Sequence, residues 1–139
     1  MITPAPSSGR QEESAPRPRL RVLVVDDDHD ELRTLAALVQ DEGHETRELA
    51  RGADVMDAVR DFGPHVVLLD IGLPDRNGYD LAREIRSRYG NRAPRLIAVT
   101  GWKKASDRML AKMAGFDHHV AKPYDPVALL GLLAPRGAD

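Results

Sequence analysis

The stretch that most constrains this chain is His65-Val66-Val67-Leu68-Leu69-Asp70, followed by Ile71-Gly72-Leu73-Pro74-Asp75-Arg76-Asn77-Gly78. An almost continuous apolar run enters a single carboxylate, and a loop of Gly, Pro and Asn follows. Such a run between turn residues reads as a strand buried on both faces, as in a parallel sheet. Open α/β sheets place their sites at the carboxyl ends of their strands, and Asp70 falls there.

The same pattern recurs. Arg21 to Val25 is a second buried-strand signal and ends in Asp26-Asp27-Asp28. Arg95 to Thr100 is a third, ending in a hydroxyl and Gly101. His118 to Ala121 is a short strand closed by Lys122-Pro123, and His44 to Leu49 is a more polar strand suited to a sheet edge.

Helical periodicity separates these runs. The first helix follows a cap at Asp28 or His29, carries Leu32, Leu35, Leu38 and Val39, and stops at Gly43. A second covers 53–62 and ends at Gly63-Pro64. A third is marked by Tyr79, Leu81, Ala82 and Ile85, and closes at Gly90-Asn91. A fourth, from Ser106 to Ala114, carries Met109, Leu110 and Met113. Asp125 caps a fifth, with Pro126 at its first position, running to about Ala134. Five strands alternating with five helices through short connections imply a doubly wound parallel α/β sheet.

Residues 1–19 contain Pro4, Pro6, Pro16 and Pro18 with little to bury, and are expected to be a disordered Pro/Arg-rich leader or linker. The folded domain is expected over 20–134, with a short tail at 135–139. Within 139 residues, 42% hydrophobic and 30% charged residues fit one soluble domain. No segment is apolar enough for a membrane span, and no signal peptide begins the chain. Without cysteine, thiol catalysis and thiolate metal sites are excluded. The expected location is the cytoplasm. The net charge of −2 argues against direct nucleic-acid binding.

Parallel strands bring Asp26, Asp27, Asp70, Thr100 and Lys122 to one sheet edge. Crowded carboxylates repel unless a cation compensates, and an all-oxygen set suits magnesium rather than zinc. The lysine and hydroxyl suit a phosphoryl group, and a carboxylate can serve as nucleophile. The combination describes magnesium-assisted phosphoryl transfer to Asp70. Asp26, Asp28 and Asp30 mimic a calcium loop, but Glu31 and Ala37 occupy its glycine and bidentate-glutamate positions. His118 and His119 are strand neighbours on opposite faces, so a shared metal is not expected. No glycine-rich turn for a dinucleotide follows the first strand.

Val24-Val25-Asp26-Asp27, Asp70 with Pro74 and Gly78, Thr100-Gly101 and Lys122-Pro123 together resemble the receiver domain of two-component response regulators, over residues 20 to about 134. The resemblance implies a flavodoxin-like sheet of strand order 2-1-3-4-5 and a phosphoacceptor that catalyses only its own phosphorylation and dephosphorylation. Asp70 would take a phosphoryl group from the phosphohistidine of a histidine kinase or histidine phosphotransfer protein. Asp27, Asp70 and the Gly72 backbone carbonyl would ligate Mg2+, and Asp26 would hold it mostly through water. Lys122 would pair with Asp70 and then with the phosphoryl group, and Thr100 would swing inward as a switch. Lys122-Pro123 would be the family's cis peptide.

His119 departs from the family's usual Tyr or Phe three residues before the lysine, which would make the switch sensitive to pH. Trp102 is bulky and Gly72 small at positions that tune dephosphorylation in this family. The output is expected to be a protein docked on the last strands and helices, where Leu129, Leu130, Leu132 and Leu133 exceed one helix face. Phosphorylation-dependent dimerisation is compatible with this. A single-domain regulator without an output domain is expected, with the receiver portion of a hybrid histidine kinase as the alternative. From another class, a haloacid-dehalogenase-like phosphatase would use Asp26 and Asp28 but leave Asp70 idle. A phosphorylation-independent interaction module would leave all the site residues idle.

Overall fold

The computed structural model describes residues 18–133, so most of the expected leader and the whole 135–139 tail lie outside the described residues. Among the described residues, five strands alternate with five α-helices: β1 (Arg21–Val25), α1 (His29–Asp41), β2 (Glu45–Leu49), α2 (Val55–Phe62), β3 (Val66–Leu69), α3 (Gly78–Tyr89), β4 (Arg95–Thr100), α4 (Ala105–Ala114), β5 (His118–Ala121) and α5 (Pro126–Gly131). All strand pairs are parallel, and the order is β2-β1-β3-β4-β5. Order and direction match the expected doubly wound sheet. None of these helices is long and apolar enough to cross a membrane.

The pleat sorts the central strands into two cores, because alternate residues leave opposite faces. Leu23, Val25, Val67, Leu69, Leu96 and Ala98 pack with α2, α3 and α4. Val22, Val24, Val66, Leu68, Ile97 and Val99 pack with α1 and α5. Burial on both faces explains why β1, β3 and β4 read as unbroken apolar runs. The polar β2 lies at one edge, as its sequence implies.

Local chemistry sets the helix ends. The Asp28 side chain accepts from the Glu31 N–H to begin α1, Asn77 from Tyr79 to begin α3, and Asp125 from Val127 to begin α5. The second helix differs from expectation: Gly52–Asp54 forms a 3-10 turn before α2, its Gly52 and Ala53 N–H groups held by the Asp75 carboxylate at 2.9 and 2.8 Å.

Two apolar expectations fail. Leu129 and Leu133 are buried and Leu130 and Leu132 pack partly against the core, so the leucines leave no surplus apolar face; Val127 is the large apolar residue exposed on α5. The surplus lies on α4, where Met109, Leu110 and Met113 are exposed. That helix meets the core through Ala111 and Ala114, whose small side chains seat the backbone close to the sheet and turn the larger residues outward.

Candidate functional site

The parallel register carries β1 and β3 in step to their last residues. Asp26 N–H donates to the Leu49 carbonyl at 3.1 Å, and Asp70 N–H donates to the Val25 carbonyl at 3.0 Å. Both acids therefore emerge side by side at the carboxyl edge. Asp26, Asp27 and Asp70 each offer a carboxylate oxygen within 4.8 Å of the others; Asp26 is buried, Asp27 exposed and Asp70 between.

Lys122 closes the group from β5. Its Nζ donates to Asp26 Oδ2 at 2.7 Å and Asp70 Oδ2 at 3.1 Å, and also reaches Glu31 Oε1. The Lys122 N–H donates to the Thr100 carbonyl at 2.9 Å, and the Lys122-Pro123 peptide is cis, as expected. Burial disfavours the ammonium charge, but hydrogen bonds to Asp26 and Glu31 and the charge of Asp70 outweigh it and hold the Lys122 pKa above its ordinary value. Asp26 shifts the other way from a salt-bridged norm: burial pushes its carboxyl up, against the hydrogen bonds from Lys122 and the Asp28 N–H.

Three acids, Asp26, Asp70 and Glu31, thus meet one lysine, and a fourth, Asp27, stands beside Asp26 and Asp70. The excess negative charge and all-oxygen donor set fit a hard divalent cation. In the sequence Glu31 reads only as a mismatch to a calcium loop; its contact with Lys122 shows in the fold.

Asp70 Oδ1 accepts from the Gly72 N–H at 3.1 Å, so the loop turns immediately beneath the acid. A Cβ on Gly72 would lie 2.8 Å from Trp102 Nε1, and one on Gly78 would lie 2.6 Å from the Ile71 Cα. The small residue at 72 and the bulky one at 102 are therefore one feature, an indole laid over a bare backbone. Trp102 also stands 6.1 Å, ring to ring, from Tyr79, whose hydroxyl donates to the Asp107 carbonyl on α4.

Thr100 is fully buried, and its hydroxyl accepts from the Trp102 N–H at 3.2 Å. His119 has both ring nitrogens buried without a hydrogen-bond partner. Burial pushes its pKa down, only partly opposed by the Trp102 main chain and Asp107, while Arg108 adds to the depression. The structure thus gathers Asp26, Asp27, Asp70 and Lys122 in one cluster, ties Thr100 to it through the Lys122 main chain, and leaves His119 toward α4. Asp28 is spent on capping α1.

A five-stranded parallel sheet of this order, with acids pooled at its carboxyl edge, is the flavodoxin-like arrangement. The chain belongs to the response regulator receiver domain family, which matches residues 22–134. It is 35% identical over 118 residues to the DNA-binding response regulator MtrA of Mycolicibacterium smegmatis, covering 85% of this chain and 50% of that protein. It is 34% identical over 108 residues to the transcriptional regulatory protein CreB of Escherichia coli, covering 78% of this chain and 46% of that one. Among solved structures, the BeF3-activated DrrB receiver domain of Thermotoga maritima superposes with a TM-score of 0.75 at 28% identity, over 84% of this chain and 95% of that one. A CheY-like receiver from Methanospirillum hungatei gives 0.76 at 27% identity, over 84% and 91%.

The chain spans about half the length of the curated relatives it matches. Their names, a DNA-binding response regulator and a transcriptional regulatory protein, overturn the expectation of no direct nucleic-acid contact. A net charge of −2 is a property of this span, and it says nothing of what a protein twice as long touches.

Proposed function

We propose that Asp70 is the phosphoacceptor of a two-component pathway, taking its phosphoryl group from the phosphohistidine of a histidine kinase or phosphotransfer protein. The observation that carries this reading is the convergence of Asp70 with Asp26 and Asp27 within 4.8 Å, with Lys122 Nζ 3.1 Å from Asp70. An Asp70 carboxylate oxygen attacks phosphorus, the N–P bond of the donor breaks, and its electron pair returns to the donor imidazole. Lys122 starts on Asp70 and is positioned to follow the charge onto a phosphoryl oxygen. Asp26, Asp27, Asp70 and the Gly72 carbonyl would hold Mg2+, which would supply charge neutralisation for the transferring group.

Thr100 is the switch in this reading. Turning its hydroxyl toward the phosphoryl group gives up the Trp102 N–H, so the β4–α4 loop registers the change. His119, in the aromatic partner's place, lies beneath that loop. The indole over Gly72 restricts water at Asp70, so Trp102→Ala is expected to shorten the lifetime of the aspartyl phosphate. As in the relatives named for DNA binding, the response is directed at nucleic acid, through whatever the receiver controls. The phosphatase alternative gains no support, because Asp28 caps α1 rather than joining Asp26.

The test is incubation with acetyl phosphate and Mg2+, read by intact mass. A gain of one phosphoryl group is expected, abolished in Asp70→Asn or by chelation, and reversed by hydroxylamine. A gain that survives in Asp70→Asn would refute the assignment. No gain in the folded wild type would leave a phosphorylation-independent module.

A further inference from the structure

The Lys122 ammonium carries three N–H donors, and three carboxylates take them. Asp26 Oδ2 lies at 2.7 Å, Asp70 Oδ2 at 3.1 Å, and Glu31 Oε1 is the third acceptor. These acids are held differently. Asp26 Oδ1 also accepts from the Asp28 N–H at 2.9 Å, and Asp70 Oδ1 from the Gly72 N–H at 3.1 Å. The Glu31 carboxylate meets Lys122 alone among the described residues, and its side chain is 51% exposed, against 6% for Asp26 and 13% for Asp70. Its backbone is fixed, the Glu31 N–H donating to Asp28 Oδ1 at 3.0 Å in the first turn of α1.

No donor of Lys122 is therefore spare. To meet a phosphoryl oxygen on Asp70, the ammonium must turn from an acceptor it already has. Transfer itself weakens the Asp70 bond, because that carboxylate gives up its charge in forming the new O–P bond. Glu31 keeps its charge throughout and continues to draw the ammonium toward α1. It also places a negative charge beside the point where a phosphoryl dianion arrives.

We infer that Glu31 is a positioning residue that competes with the phosphoryl group for the Lys122 ammonium and so restrains phosphorylation of Asp70. This deepens the receiver reading and rests on it. A role confined to starting α1 is a different matter. A carboxylate in a first turn favours the helix dipole wherever its side chain points, and Asp30 supplies that too, without a bond to Lys122 among the described residues. The two neighbours therefore separate the contact from the charge.

The experiment follows the intact mass of the whole chain over time in acetyl phosphate, at several Mg2+ concentrations, for wild type, Glu31→Gln and Asp30→Asn. Both substitutions remove one charge from the same exposed turn, and urea midpoints report any loss of fold. At saturating Mg2+, Glu31→Gln is expected to gain its phosphoryl group about threefold faster than wild type, the scale of a half-exposed ion pair. Asp30→Asn should keep the wild-type rate. An unchanged rate in Glu31→Gln would overturn the proposal. So would a lower one with a raised Mg2+ requirement, which would make Glu31 a support of the cation. Equal acceleration in Asp30→Asn would overturn it as well, leaving net charge as the cause. No gain in any of the three folded chains would remove the receiver reading and this proposal together. A wild type that gains, with Glu31→Gln merely keeping pace, would remove this proposal alone.

Discussion

The two ends of the sheet are built on opposite principles. At the amino end, imidazole acceptors close the strands: His65 Nδ1 accepts from the Arg21 N–H at 2.9 Å and His44 Nδ1 from the Leu20 N–H at 3.1 Å. Arg21 Nε meanwhile donates to the Phe62 and Gly63 carbonyls at 3.1 and 2.9 Å, securing the end of α2. At the carboxyl end, three acids meet one lysine and Asp27 stands beside them. One end completes its hydrogen bonds with imidazole and carbonyl acceptors, and the other retains an excess of negative charge that a ligand can relieve. Their responses to pH have opposite signs. Asp26 has a folded pKa above its unfolded value, so its contribution to stability falls as pH rises above about 3.8. His65 has a folded pKa below 6.5, so its contribution falls as pH drops below that value.

The largest effect should come from removing the lysine that holds the carboxyl end together. Lys122→Met leaves the buried Asp26 charge without its partner, and a loss of about 3 kcal/mol is expected at neutral pH in chelator, read by urea denaturation. The deficit should shrink in acid, where Asp26 is protonated, and on adding Mg2+. A deficit independent of both would show that Lys122 supports the fold by packing alone.

Gly78→Ala should come next. The new methyl meets the Ile71 main chain rather than a movable side chain, and the Gly78 N–H donates to the Ile71 carbonyl at 2.8 Å. About 2 kcal/mol should be lost, the loop beneath Asp70 having to open. Phosphorylation by acetyl phosphate should slow as well, because Gly72 and Asp70 share that loop. Unchanged phosphorylation with lowered stability would separate the loop's shape from the site's chemistry.

The same contrast governs what the sequence reveals. Buried parallel strands must be apolar on both faces, so β1, β3 and β4 announce themselves, and each hands its terminal Asp or Thr to a known edge. The placement of Asp26, Asp27, Asp70 and Thr100 at one edge was legible for that reason, and that of Lys122 from its position after the short β5. Glu31 was not, because its role depends on where the first turn of α1 meets Lys122 from the far end of the chain. The outward face of α4 was hidden too: Met109, Leu110 and Met113 follow a helical period whichever side is buried, and only the packing of Ala111 and Ala114 decides it. Trp102 and Gly72 looked like two departures, and only their contact makes them one. The amino-end histidines carried no signal, since an imidazole accepting a main-chain N–H has no spacing rule.

The smallest effect probes that silent end. His65→Asn keeps a side-chain oxygen able to accept from the Arg21 N–H but removes the titration. Partial desolvation and the nearby Arg21 charge favour neutral His65 in the folded chain, so protons bind the unfolded chain first as pH falls. Wild-type stability should therefore drop more steeply than that of His65→Asn below about pH 6.5, by roughly a few tenths of a kcal/mol, because water screens the exposed ring. His65→Ala should lose that amount already at pH 7, where the bond is intact in the wild type. Paired urea midpoints at several pH values isolate the site from the other histidines, because only residue 65 changes. Parallel curves for wild type and His65→Asn would mean that the imidazole leaves the Arg21 N–H without loss, and that the amino end is held by Arg21 and its two carbonyls alone.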